Sequence, residues 1–203
     1  ISEFPHYVAE DGTKLFFRIE DAETFSCSYN KLKKFPNIFD ADATYQLPSV
    51  DFSYNDIDGF EGEEDGTFQG LYVQTLSLAN NPRLGKYPKC IAATGSKVDY
   101  IILRGCGIKE IPKGSFTGEN VKYLMSLDLS YNHLTDLPYE FHAAHMPYFY
   151  GIDLSYNRFS SFPFEPFDCA SLTMMAIRGQ GDEKGERCLS EWPQGVYNHT
   201  GLR

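Results

Sequence analysis

Three histidines stand near one another in this 203-residue sequence: His133, His142 and His145, the last two in Phe-His-Ala-Ala-His. On a helical turn, an i, i+3 pair of imidazoles can aim at one metal ion. No third ligand stands nearby at a suitable spacing, so a solvated surface is the expected reading and no metal is assigned. The acidic run DIDGFEGEEDG (56–66) has the composition of a calcium loop. Its spacing departs from DxDxDG with a later Glu, because Gly59 directly follows Asp58, so an acidic excursion is expected instead. For nucleophilic catalysis a Ser or Cys must neighbour a His and an orienting acid. The serines of the recurring Ser-Tyr-Asn triplets belong to a repeat, and no GxSxG, HExxH, phosphate-cradling or dinucleotide motif occurs. No catalytic residue and no cofactor is therefore predicted.

Five cysteines form neither a CxxC pair nor a regular framework. Cys27 and Cys106 fall where small hydrophobes are expected. Cys90, Cys169 and Cys188 lie elsewhere and leave open either one disulfide or unpaired thiols. The formal charge of −10, with Lys and Arg scattered, opposes contact with nucleic acid or anionic lipid. No run approaches eighteen apolar residues, so no direct membrane insertion is expected of this segment. The first twenty residues lack the pattern of a signal peptide. The sequon Asn198-His199-Thr200 can carry glycan only in a eukaryotic secretory pathway.

What positions these residues is a repeat. FSCSYNKLKKFP (25–36), VDFSYNDIDGF (50–60), LSLANNPRLGKYP (76–88), IILRGCGIKEIP (101–112), LDLSYNHLTDLP (127–138) and IDLSYNRFSSFP (152–163) share one template. A seventh copy, MAIRGQ (175–180), resumes after an insertion with CLSEWP (188–193). One column reads Asn30, Asn55, Asn81, Cys106, Asn132, Asn157 and Gln180, at spacings of 25, 26, 25, 26, 25 and 23. Within each copy two apolar residues flank a polar one, as Leu127 and Leu129 flank Asp128, which is the alternation of a strand with one buried face. The asparagine follows where the chain turns inward, and its amide can satisfy buried backbone groups that would otherwise each cost roughly 1–3 kcal/mol. A second apolar residue comes next (Leu32, Ile57, Ile108, Leu134, Phe159), then an apolar–proline pair. Proline suits a return side that needs no ladder hydrogen bond. Phe39, Phe116, Phe141 and Phe167 are expected to plug the convex side of the core. No copy can bury its apolar face alone, so stability is a sum over neighbours.

The template LxxLxLxxNxLxxLP is similar to that of leucine-rich repeats, which run about 20 to 29 residues. The resemblance implies an α/β-type solenoid, a horseshoe with a parallel concave sheet of about seven short strands and an irregular or short-helical convex side. ISEFP at residues 1–5 matches the tail of a preceding copy, and Leu202 stands where an eighth strand would begin. Residues 1–203 are thus read as one leucine-rich-repeat domain, a fragment of a longer array. The wording Leu-Asp-Leu-Ser-Tyr-Asn, the xFP returns and the ending RGQGDEKGERCLSEWP resemble large leucine-rich-repeat proteins displayed on the surface of Gram-negative commensal bacteria. They depart from plant repeats, which carry LxGxIP, and from the shorter internalin repeat. The resemblance implies an extracellular or cell-surface module that binds a protein or glycoprotein ligand, any leader or lipid anchor lying outside this sequence. A repeat arm serving a catalytic domain elsewhere, or a structural spacer, are the rival readings.

A ligand is expected on the concave face. Tyr29, Tyr54, Tyr131 and Tyr156 occupy one outward column beside serines, and such uniformity fits either a stiffening ladder or a binding row. Copy four breaks the column with Tyr100, Ile102, Arg104 and Gly105, and copy seven with Met174, Arg178 and Gly179. Glycine in place of tyrosine is expected to open floor space beside an arginine and an aromatic or flexible apolar group, the composition of interface hot spots. Repeat drift explains the same breaks without a ligand.

Overall fold

The computed structural model describes residues 23–37, 45–61, 71–92, 96–117, 121–138, 146–162, 171–181, 184 and 186–189. Within them lie seven strands: β1 (Thr24–Ser26), β2 (Tyr45–Asp51), β3 (Leu71–Ser77), β4 (Lys97–Ile102), β5 (Ser126–Asp128), β6 (Gly151–Asp153) and β7 (Met174–Ala176). They form one parallel sheet whose spatial order is the chain order. The register keeps the template in phase, so that Phe25, Val50, Leu76, Ile101, Leu127, Ile152 and Met175 align across the sheet. The helical share of the fold, among the described residues, is two 3₁₀ turns, Lys89–Ala92 and Val121–Tyr123.

Two inward rows make the strand side of the core. Val50, Leu76, Ile101, Leu127 and Ile152 form one, and Phe52, Leu78, Leu103, Leu129 and Leu154 the other, all essentially buried. Leu32, Ile57, Leu84, Ile108, Leu134 and Phe159 meet them from across the turn. Phe35 tilts against Phe52 with ring centres 4.6 Å apart, and Phe116 against Tyr87 at 5.2 Å. Phe116 is thus the expected plug, while Phe39, Phe141 and Phe167 lie outside the described residues.

β2 and β3, at seven residues each, are longer than the template's short strand. Pairing starts at Tyr45 with Leu71 and skips Pro48, which has no amide proton to give. The return side also differs from expectation. Phe35 N–H donates to Gly59 O and Glu61 N–H donates to Phe35 O, both at 2.8 Å, a parallel bridge that ends at Pro36. Proline therefore terminates a short second ladder rather than marking its absence.

The asparagine column does what its chemistry predicts. Asn55 Nδ2 donates to Cys27 O and Phe52 O while its Oδ1 accepts from Leu32 N–H, so one amide ties two copies together. Asn81, Asn132 and Asn157 repeat the scheme, and Gln180 reproduces it with Nε2 to Leu154 O and Ile177 O and Oε1 from Phe159 N–H. Cys106 has no oxygen to offer; its thiol donates to Leu78 O at 3.0 Å. Copy three tolerates this because an additional residue before Leu84 lets Leu84 N–H donate to Asn81 O instead.

Cys27, Cys106 and Cys188 are free thiols, which removes Cys188 from any disulfide; the Cys90 side chain and Cys169 lie outside the described residues. Burial pushes the Cys106 thiol up to about 12. Among the described residues no group of three or more His, Cys, Asp or Glu is placed to hold a metal ion. His133 donates its amide to Ile108 O, whereas His142 and His145 lie outside the described residues. In the acidic run, Asp58 is taken by Lys34 Nζ at 2.8 Å and Arg83 at 3.1 Å, and residues 62–66 are outside the described set. Residues 1–5, the sequon and Leu202 are outside it as well. No helix among the described residues is long and apolar enough to cross a membrane.

Candidate functional site

The tyrosine column sits at a backbone position with an unusual demand. Tyr29, Tyr54, Tyr131 and Tyr156 all have φ of 56–57°, in the left-handed region, as does Asn80 at 58°. The same column in copies four and seven is Gly105 and Gly179, at 66° and 67°. A non-glycine residue there costs roughly 1–2 kcal/mol, so something must hold the turn. That holder lies three residues earlier. Asp51, Asp128 and Asp153 each accept, at Oδ1, the amide proton of the serine two residues on, at 2.8–2.9 Å. Ser26 and Ser77 offer a hydroxyl in the same place, more distantly at 3.4 Å. Ile102 and Ala176 can offer nothing, and those are the two copies that carry glycine. The motif Asp-x-Ser-Tyr is therefore a local cap that lets an aromatic occupy a left-handed position.

The rings do not form one continuous ladder. Tyr29 stacks on Tyr54 with centroids 4.3 Å apart, and Tyr131 on Tyr156 at 4.2 Å, but Asn80 and Gly105 separate the pairs. The Arg104 guanidinium lies 3.9 Å over the Tyr131 ring and donates to Ser130 Oγ at 3.3 Å. The expectation of open floor at the glycines is thus corrected. A Cβ on Gly105 would meet Asn80 Oδ1 at 2.8 Å, and one on Gly179 the Tyr156 ring at 2.7 Å. Glycine stands there because the backbone is left-handed and a neighbouring side chain already fills the space. The serines beside the tyrosines are not outward either: Ser130 and Ser155 are buried.

Register brings the residues of copies four and seven into one frame. Tyr100, Ser126, Gly151 and Met174 share a row across β4 to β7. Ile102, Asp128, Asp153 and Ala176 form the next. Arg104 and Arg178 continue it, flanking Ser130 and Ser155. Small residues thus floor a shallow trough whose two rims, three strand steps or about 14 Å apart, carry Tyr100 with Arg104 and Met174 with Arg178. Met174 is 62% exposed. The Tyr100 hydroxyl bonds Tyr150, and that hydrogen bond raises its phenol above the ordinary range. Tyr29 and Tyr54 lie outside this frame, beyond the break at Asn80. The small floor at Ser126 and Gly151 went unnoticed in the sequence because neither belongs to the recurring template.

Seven in-register parallel strands, a buried asparagine ladder and a bridged return side make up a leucine-rich-repeat fold. The Leucine Rich Repeat family model matches residues 123–143. Among solved structures, a leucine-rich-repeat protein from Bacteroides eggerthii is 41% identical, with a TM-score of 0.80 over 89% of this chain and 31% of its own. One from Bacteroides thetaiotaomicron is 38% identical, with a TM-score of 0.81 over 89% of this chain and 22% of its own. The chain therefore spans a third or less of the length of these bacterial relatives. No curated protein matches it significantly.

Proposed function

We propose that this chain is an extracellular recognition or adhesion module that takes a protein or glycoprotein ligand on the concave sheet between β4 and β7. The leucine-rich-repeat fold is a protein-binding scaffold, and what a given member binds is set by the residues on its surface. The observation that carries the assignment is the frame described above. Tyr100, Arg104, Met174 and Arg178 stand on two rims, with Ser126 and Gly151 between Tyr100 and Met174 and the Tyr131–Tyr156 stack beside Arg104, so a ligand can seat against aromatic, apolar and guanidinium groups at once. Such residues dominate interface energetics. The break in the tyrosine column counts against a uniform stiffening spacer. The cell-surface assignment rests on the likeness to the surface-displayed proteins of Gram-negative commensals, and no catalysis is proposed.

The test is the affinity of a purified ligand for a Tyr100→Ala, Ile102→Ser, Arg104→Glu variant with unchanged melting temperature. Loss of at least about thirty-fold, equivalent to about 2 kcal/mol, is expected if one hot spot is removed. Undiminished binding would move the site to the convex loops. Protease treatment of intact cells tests the location, since a surface module is cleaved without lysis and an internal one is not.

A further inference from the structure

The row of stacked tyrosine rings lacks two rungs. Tyr29 and Tyr54 stack on one side of the break and Tyr131 and Tyr156 on the other, while Asn80 and Gly105 hold the same left-handed position between them. Asparagine and glycine suit that backbone unaided, so the break costs the fold little. Arg104 fills part of it, because its guanidinium lies 3.9 Å over the Tyr131 ring and continues the second pair by one plane. Tyr54 and Tyr131 are three strand steps apart, about 14 Å. Allowing for the guanidinium on Tyr131, a slot of about 10 Å is left between the Tyr54 ring and Arg104.

Both walls of the slot present flat faces. Tyr29 covers one face of Tyr54, no other ring or cation among the described residues meets it, and Tyr54 stays 47% exposed. Arg104 is exposed too, and its N–H groups lie in the guanidinium plane, one of them bonded to Ser130 Oγ, so its face rather than its donors meets the slot. Asn80 makes the floor. Its amide is laid over Gly105, where a Cβ would meet Oδ1 at 2.8 Å, and that amide hydrogen-bonds none of the described residues. A ring seated midway would stand about 5 Å from each wall, inside the range of both ring–ring and cation–ring contact. A second cation is repelled by Arg104, an aliphatic chain gains nothing from the guanidinium, and a sugar needs donors where only a face is offered. We propose that this slot takes a Trp or Tyr side chain projecting from a partner protein, stacked between Tyr54 and Arg104, its indole N–H or phenol bonded to the Asn80 amide. The slot is distinct from the trough: of the trough's rim residues it uses Arg104 alone, and it stands whether or not Tyr100 and Met174 meet a ligand.

Titration of the whole chain with N-acetyltryptophanamide, followed by NMR of ring-labelled tyrosine and of arginine Nε, tests it. The amide should shift the Tyr54 and Arg104 signals with a dissociation constant in the roughly millimolar range that one seated ring supplies, and N-acetylleucinamide should not. Asn80→Tyr adds a missing rung at a position where four tyrosines already adopt nearly the same φ, and should abolish binding in a chain that remains folded. Tyr54→Ala should weaken binding about five-fold. Arg104→Gln, which loses the cation, should weaken it about three-fold. Tyr100→Ala with Met174→Ala alters the trough and should leave the titration unchanged, so the trough reading and this one fail separately. Unshifted Tyr54 and Arg104 signals would overturn the proposal. Equal affinity in a folded Asn80→Tyr or Tyr54→Ala variant would do so too, as would methyl glucoside or adenosine shifting the same signals at lower concentration than the amide.

Discussion

Replacing Asp128 by Ala probes the rule that links the first residue of Asp-x-Ser-Tyr to the last. The carboxylate accepts the Ser130 amide at 2.8 Å, and Ser130 is fully buried, so its N–H is left without that acceptor. Loss of a comparable helix cap costs about 1 kcal/mol, and an orphaned buried donor about 1–3 kcal/mol. Tyr131 meanwhile remains at φ 57° with its turn unheld. A destabilisation of about 1–2 kcal/mol is expected. Tyr131→Gly alone relieves roughly 1 kcal/mol of left-handed strain. It gives up the Tyr156 stack and the Arg104 contact, together about 1–2 kcal/mol, for a net change near zero or a small loss. In the double variant the aspartate matters less, because glycine adopts the turn unaided. The coupling should be about 0.5–1 kcal/mol, read from urea unfolding followed by circular dichroism with the slope unchanged. Ile102→Asp, placed beside Gly105, should change stability by less than about 0.5 kcal/mol. An Asp128→Ala cost that is identical with Tyr or Gly at residue 131 would refute the rule.

Leu129→Ala and Leu154→Ala should each cost about 2–5 kcal/mol, because both side chains are fully buried between neighbouring copies. Asp58→Ala should cost only about 0.5 kcal/mol, measured as a shift that shrinks with added salt, since its Lys34 and Arg83 partners are exposed. The hydrogen bond from Lys34, aided by the charges of Lys34 and Arg83, holds the Asp58 carboxyl below its usual value. Its contribution is therefore present above the unfolded carboxylate range and lost as pH falls through the folded value, a difference that Asp58→Asn should abolish in an acid titration of stability. Native alkylation at pH 8 should spare Cys106, whose thiol titrates at about 12, and label it only after unfolding. Gly107→Ala should cost about 2 kcal/mol or more in the same unfolding assay, because at φ 65° its Cβ would run into the Pro82 carbonyl oxygen.

The strands, their order and the inward rows were legible because each rests on a short pattern repeated seven times, and the register follows from keeping those copies in phase. The asparagine column was legible for the same reason, down to the substitution by Gln180. The left-handed tyrosines were not recognised, although the signal was there: glycine enters the column only where Asp or Ser has left the position three residues before it, at Ile102 and Ala176. Side-chain volume alone makes Gly105 and Gly179 open floor, whereas the left-handed φ of the turn makes glycine a backbone requirement there. The extension of β2 and β3 could not be read, since Tyr45-Gln46 and Leu71-Tyr72 recur nowhere else. The trough needed Ser126 and Gly151, two unremarkable residues that acquire meaning only once Tyr100 and Met174 share their row. Arg187 meets Gly181 in an antiparallel bridge through an insertion, where periodicity carries no information.

The placement of the ligand on the concave sheet is tested most directly by site-specific photocrosslinking. A benzoylphenylalanine is placed in turn at residues 102 and 174 on the trough and at residues 33 and 109 on the return side, and each protein is irradiated with its ligand. Adducts at 102 and 174, with none at 33 or 109, are the predicted result. Adducts confined to 33 and 109 would contradict it.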